Sequence, residues 1–251
     1  MTEAIGRSKA PQGGLTILYQ DQWLLAVDKP QGILVHGDGT GDPTLTDALA
    51  AQLAAAGTDP GDLQALQRLD RETSGIVLFS LDKRTQPTLD ALIASRQVSK
   101  GYLALVAGNF PQGLQSIDLP LARDRHDARR MRAVSAGRGR GQEAHTRALL
   151  LATSGTGLKR TSLLGVDLLT GRRHQIRVHL AGLGFPLVGD TLYGGRPNRE
   201  GLMLHAFEES LTHPVTGAVV RLRTPVPDRF ARAYPLAESL WDTCRRKSRS
   251  C

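Results

Sequence analysis

The chain has 251 residues, 40% of them hydrophobic, enough to bury a sizeable core without a disulfide or a metal to hold it. Its formal net charge of +8, carried mostly by arginine, points to a polyanionic partner, because the planar guanidinium fork matches phosphate geometry. Cys244 and Cys251 both lie at the C-terminal end, no apolar stretch approaches the length of a membrane span, and the opening MTEAIGRSKAPQGG lacks the apolar core of a signal peptide, so the chain reads as cytosolic, with no Cys-built metal site.

Residues 1–14 read as a flexible tail. From Leu15, LTILYQ and WLLAVDKP carry strand patterns with Asp21-Gln22 as a tight turn between them and Pro30-Gln31-Gly32 as a stop. The segment 43–57, rich in alanine and leucine, predicts a helix with Thr44 or Thr46 as N-cap and Gly57 as its end. Gly75 to Ser80 is an apolar strand, 85–97 a helix, and KGYLALVAG (100–108) a strand. The stretch 122–144 has almost no apolar periodicity and carries Arg123, Arg125, Arg129, Arg130, Arg132, Arg138 and Arg140, which predicts a basic loop or ribbon. HTRALLLAT and SLLGVDLLTG follow as strands, RRHQIRVHLAGLG as a helix ending at Gly182 or Gly184, and 202–225 as a hairpin turning at His213–Gly217. The last helical segment is interrupted by Pro235, and 244–251 reads as a basic tail. There is no repeat and no linker, so the whole predicts one α+β domain over 15–243, mainly antiparallel.

Two stretches carry chemistry. Arg68-Leu69-Asp70-Arg71 places one carboxylate between two arginines directly ahead of the apolar run Ile76–Phe79. Taken alone this is as consistent with a surface ion pair as with a functional acid. The second stretch is TGRRHQIRVHLAGLGFPLVGDTLYGG (170–195): if 172–183 is helical, Arg173 and Arg177 share a face beside His174, while Ile176, Leu180 and Leu183 follow core spacing. A cation presented at the edge of an apolar stripe suits the pairing of a buried carboxylate.

Five ordered blocks, VDKPQGILVH, LQRLDRETSGIVLFS, KGYLALVAG, TGRRHQIRVHLA and LVGDTLYGG, resemble the successive signature blocks of the RluA-type family of RNA pseudouridine synthases. The resemblance implies a single catalytic domain built on a mixed, mostly antiparallel sheet with flanking helices and a central cleft. The first block begins near residue 15, which leaves no room for the S4-like module of many members. It also implies conversion of a uridine in RNA to its C-glycoside isomer, without metal, cofactor or second substrate.

By this resemblance Asp70 is the obligatory acid, Tyr102 stacks on the target base, and Arg177 pairs with the aspartate. The residue types suit these roles: a neighbouring guanidinium keeps an aspartate ionised, and a tyrosine offers a π-face and a relay hydroxyl. Arg68 matches the arginine associated with filling the space left by a flipped nucleotide. The block usually opens with histidine, and here Gln67 stands in its place, which keeps hydrogen bonding and loses a positive charge. Arg71 reads equally as an RNA contact or as an ion-pair partner of Glu72 or Asp82. His174 reads as an RNA contact or helix-orienting group, and neither it nor His179 as a metal ligand. Asp190 reads as a turn-stabilising acid. Arg129, Arg130 and Arg132 are expected to grip phosphates, with Lys29, Arg172 and Arg173 as the other candidate RNA path. The expected partner is a structured tRNA or rRNA stem-loop, with no membrane and no protein partner, the chain acting as a monomer. The competing expectation is an RNA-binding or RNA-folding protein with weak or lost catalysis.

Overall fold

The computed structural model describes residues 14–134 and 141–248; Arg138, Arg140, most of the expected N-terminal tail and the end of the expected C-terminal tail lie outside the described residues. In chain order the elements are β1 (Thr16–Gln20), β2 (Leu24–Lys29), α1 (Leu45–Ala55), β3 (Gln64–Ala65), β4 (Ser74–Ser80), α2 (Gln86–Ala94), β5 (Ser99–Ala107), β6 (Leu114–Asp118), β7 (Leu121–Arg123), β8 (Met131–Ala133), β9 (His145–Ser154), β10 (Thr161–Leu168), α3 (Gln175–Gly182), β11 (Leu204–Thr212), β12 (Val219–Arg223), α4 (Asp228–Ala231) and α5 (Ala237–Ser248). The fold is α+β with a mostly antiparallel sheet, and the chain divides into two compact units: residues up to Val98 with Glu209–Thr224, and Ser99–Glu208 with the segment from Pro225 onward.

In the first unit the hydrogen-bonded order is β1-β2-β4-β11, with β3 on β4 and β12 on β11. The β1–β2 hairpin turns where Asp21 accepts the backbone N–H groups of Trp23 and Leu24, both at 2.8 Å. Strand β4 is buried at every position, as its unbroken apolar run predicts, and pairs with β2 from Leu24↔Ser80 to Lys29↔Gly75. That register sets Lys29 beside the start of β4. Leu24, Ala26, Ile76 and Leu78 pack with Leu89 of α2 and with Leu211 and Leu222; each fully buried leucine or isoleucine contributes about 1.5–3 kcal/mol. Helix α1 begins at a capping box in which Thr44 and Asp47 exchange side-chain and backbone hydrogen bonds, and its buried Leu45, Leu49 and Leu53 fall on one face.

In the second unit the order is β11-β5-β10-β9-β6. Leu103, Leu105 and Leu163 pack with Phe207, Phe230 and Trp241 of α5. The indole lies where β5 and β10 carry glycine: a Cβ on Gly101 would stand 2.6 Å from the Trp241 ring, and one on Gly165 3.3 Å from it. Side chains alternate along a strand, so Tyr102 is on the face of β5 opposite Gly101 and Leu103. The described part of the arginine-rich stretch up to Val134 is a ribbon closed by the β7–β8 pair, from Leu121↔Ala133 to Arg123↔Met131. Strand β6 lies in a stretch the sequence left unassigned, and α5 continues through Arg245 and Arg246 to Ser248, where a tail was expected from Cys244. Arg245 is held there by an ion pair to Asp167 at 2.5 Å and by its guanidinium lying 4.4 Å from the Trp241 ring centre.

Candidate active site

In the first unit, Asp70 is half-buried on a turn closed by the Thr73 N–H donating to its carbonyl at 3.1 Å. The clamp on this turn is Lys29. It is fully buried, and its ammonium donates to the carbonyls of Pro30 (2.9 Å), Ile33 (2.8 Å) and Arg71 (3.0 Å). The Gly32 N–H donates to the same Arg71 carbonyl at 2.9 Å, and the Gln31 amide to the Glu72 carbonyl at 2.9 Å. The 30–33 turn and the 70–73 turn are therefore stitched together backbone to backbone. Lys29, named from the sequence as a candidate RNA contact, is thus sealed from solvent, with its ammonium against carbonyls of its own chain. Arg71 pairs with Asp42 at 3.0 Å rather than with Glu72 or Asp82. Asp82 instead pairs with Arg84.

Just before this turn, the Gln67 amide donates to both carboxylate oxygens of Glu209, at 2.9 and 3.0 Å, and both residues are buried. The position thus anchors the chain ahead of Asp70 to β11. Arg68 is exposed, and its charge adds to burial in holding the His36 imidazole below its ordinary pKa, so the guanidinium stands near the VHGDG loop.

In the second unit, α3 begins at Gln175, later than predicted, because the preceding loop is organised by that side chain. Gln175 Oε1 accepts from the Thr170 hydroxyl (2.8 Å) and the Arg172 N–H (3.0 Å), while its amide donates to the His145 carbonyl and the Thr146 hydroxyl. His174, the last residue before the helix, has φ +55°, uncommon outside glycine. Arg173 consequently lies off the helix and donates to the carbonyls of Ala128 and Arg129, so it does not share a helical face with Arg177 as the sequence suggested. Leu183 is 41% exposed, while Val178 and His179 are buried beside Ile176 and Leu180. Buried His179 has its pKa lowered by desolvation; its ring nitrogens face the Thr146 hydroxyl and the Leu119 carbonyl, each at 2.9 Å. Arg172 donates to the Glu143 carbonyl at 3.0 Å.

Arg177 forms a two-pronged pair with Asp190: Nε to one carboxylate oxygen at 2.8 Å and Nη2 to the other at 2.9 Å. The carboxylate is almost sealed, at 1% side-chain exposure. Asp190 therefore does more than stabilise a turn. The loop that carries it has no space to vary: a Cβ on Gly189 would meet the Gly201 carbonyl oxygen at 2.0 Å, and one on Gly195 the Leu187 oxygen at the same distance. On the ribbon, Arg129 is paired with Asp127 through two hydrogen bonds, which lower the Asp127 carboxyl to about 2. Arg130 lies over the Tyr193 ring, and Arg132 is exposed. Tyr102 is 5% exposed on β5, opposite Val166 of β10.

The structure thus gathers Lys29, Arg71 and the Asp70 turn in one unit, and Arg130, Arg173, His174 and Arg177 around α3 in the other. The residues that sequence reasoning passed over are Tyr193, Gln175 and Glu209. Tyr193 had a signal in its position between Asp190 and two glycines, whereas Glu209 had none, its partner lying 142 positions away. Among the described residues no helix is long and apolar enough to cross a membrane, and no cluster of His, Cys, Asp and Glu is placed to hold a metal.

A family model described as RNA pseudouridylate synthase matches residues 23–182. The chain is 35% identical over 232 residues to the uncharacterized RNA pseudouridine synthase YhcT of Bacillus subtilis, covering 90% of this chain and 74% of that protein. It is also 35% identical over 240 residues to ribosomal large subunit pseudouridine synthase D of Xanthomonas campestris pv. campestris, covering 89% of this chain and 70% of that one. Among solved structures, human RNA pseudouridylate synthase domain containing 1 superposes with a TM-score of 0.72 at 28% identity, over 88% of this chain and 86% of the other. The match over the region that holds Asp70, Tyr102 and Arg177, together with relatives that share most of the chain, shows that it belongs to the RNA pseudouridylate synthase family and is an RNA-modifying isomerase.

Proposed function

We propose that the protein converts a particular uridine of a structured RNA to pseudouridine without metal or cofactor, with Asp70 as the group that acts on the nucleotide. The observation that carries this is the clamped turn: a half-buried carboxylate on a backbone locked by the buried Lys29 ammonium. Catalysis requires a reacting group held in one geometry, and a turn whose carbonyls are already bound has little freedom left to lose. In the reaction the bond from uracil N1 to C1′ breaks, the base turns, and C5 bonds to C1′; C5 gives up its proton and N1 takes one up, so the product is an isomer of the uridine. Asp70 serves as the ionised nucleophile or base, Tyr102 stacks on the base, and Arg177 supports the acid. Arg68, exposed beside the turn, fills the gap left by the extruded nucleotide. The amide of Gln67 donates to Glu209, which supports reading it as a structural anchor and not as a mark of lost catalysis.

Exposed Arg132 and the neighbouring arginines of the ribbon grip the RNA backbone. Ribosomal RNA is the first target to test, ahead of tRNA, because relatives sharing most of this chain are named as ribosomal large subunit enzymes. The experiment is a chemical map of pseudouridine across total RNA from cells with and without the gene. Loss of one or a few sites on deletion, restored by the gene, is expected. An unchanged map together with no activity of the purified protein on total RNA would contradict the proposal.

A further inference from the structure

We propose that Tyr193 is a positioning residue that ties the arginine-rich ribbon to Arg177, so that RNA held by the ribbon is registered against the start of α3. The inference rests on the reading that the ribbon grips RNA. Tyr193 is only 8% exposed, and its hydroxyl is the point where three elements meet. The Met131 N–H of β8 donates to the phenol oxygen at 2.8 Å. His174 Nδ1 lies 2.7 Å from the same oxygen, a distance that suits the phenol donating its one hydrogen to a neutral imidazole. The ring then lies against two guanidiniums: Arg177 Cζ is 5.1 Å from its centre and Arg130 Cζ 5.5 Å. Among the described residues Arg130 Nε is buried with no hydrogen-bond acceptor, and the π-face compensates that end of the side chain.

The other side of the arrangement is rigid. Tyr193 follows Asp190, which grips Arg177 with two bonds, and the Gly195 N–H closes the loop onto the Asp190 carbonyl at 2.7 Å. A displacement of the ribbon at Met131 must therefore move the phenol, and the phenol abuts the Arg177 guanidinium. His174, held in its left-handed conformation one residue before α3, shares the same hydroxyl and fixes the helix start. Hydroxyl and ring have separable duties: the hydroxyl holds the ribbon, and the ring supports the arginine.

Two substitutions separate these duties. Tyr193→Phe keeps the ring and removes the hydroxyl, so the peptide holding the Met131 amide should exchange hydrogen faster. KM for RNA should rise about fivefold, the worth of one hydrogen bond, with kcat lowered by a smaller factor. Tyr193→Leu removes the ring as well and should lower kcat by about a further fivefold. Arg129→Ala/Arg132→Ala, which spares Arg130, serves as the control for the underlying reading. If that control leaves RNA affinity and its salt dependence unchanged, the ribbon does not grip RNA, and the inference falls with the reading even though Met131 exchange still responds in the Phe variant. If the control weakens RNA binding while Tyr193→Phe leaves either Met131 exchange or KM unchanged, the tie itself is overturned. Equal losses of kcat in the Phe and Leu variants at unchanged KM would overturn it too, because the hydroxyl would then serve the chemistry rather than the ribbon.

Discussion

Replacing Lys29 by methionine tests whether this residue shapes the Asp70 turn or meets RNA. Methionine keeps most of the buried stem and removes the ammonium. The Arg71 carbonyl retains the Gly32 N–H, but the carbonyls of Pro30 and Ile33 each lose the Nζ donor. The Ile33 contact is buried, and stranding that acceptor costs about 1–3 kcal/mol, whereas the Pro30 contact is only part-buried and water can replace the lost donor. Relief from burying a charge offsets part of this, which leaves a net loss of about 1–2 kcal/mol. Urea unfolding followed by circular dichroism should show a midpoint lower by about 0.5 M. Below the transition, release of tritium from RNA labelled at uridine C5 should show kcat reduced by about tenfold or more, because the 70–73 backbone is no longer held in one geometry. The slope of log affinity against log salt should not change, since a fully buried ammonium releases no counterion from RNA. A variant of wild-type stability whose salt slope drops by nearly one unit would refute this reasoning and return Lys29 to the RNA path.

Arg177→Lys keeps the charge but loses the two-pronged grip on a sealed Asp190, so it should lower stability by about 1–3 kcal/mol and reduce kcat more than RNA affinity, measured by the same tritium-release assay and by filter binding. Changing Arg129 and Arg132 together to alanine, with Arg130 left on the Tyr193 ring, should reduce the salt slope for a structured RNA by about one and a half to two units, at roughly 0.7–0.9 per phosphate contact, with turnover at saturating RNA near normal. Burial, and then the charge of Arg229, push His205 from 6.5 down to about 3, so the fold holds it neutral while the unfolded chain protonates it. Its contribution is therefore fully present above pH 6.5 and is lost as pH falls toward 3; between pH 7 and pH 5 unfolding should become easier by about 2 kcal/mol, and His205→Gln should flatten that dependence.

The elements that the sequence makes legible are those whose causes are local. The β1–β2 turn needs only Asp21 reaching two and three residues ahead, the α1 start needs only Thr44 and Asp47, and the break between α4 and α5 needs only Pro235. Strand β4 is legible because seven consecutive positions are buried and an unbroken apolar run says so. Charge partners are not, because nothing in the order of residues says that Arg71 meets Asp42 or that Arg177 grips Asp190. Lys29 looked like a surface cation for the same reason: its acceptors are backbone carbonyls, which leave no mark in side-chain identity. The start of α3 moved because Gln175 bonds four neighbouring groups and draws the residues before it out of the helix, a tertiary effect that overrides the periodicity of Arg173 and Arg177. The family blocks supplied the catalytic assignments. The geometry adds why the Asp70 turn is rigid and why Tyr193 stands where it does.

The most direct test of the account is Asp70→Asn, which keeps the shape of the side chain and removes its charge. The purified variant should still fold and bind the same RNA with affinity within about twofold, since backbone groups hold the turn: the Thr73 N–H donates to the carbonyl of residue 70, and the Lys29 ammonium donates to the carbonyls of Pro30, Ile33 and Arg71. Pseudouridine formation in a single-turnover assay should fall below detection, on the order of 10⁴-fold or more for loss of an essential nucleophile or base. A variant that still converted uridine at a rate within about tenfold of the unchanged protein would show that Asp70 is not the group that acts on the nucleotide.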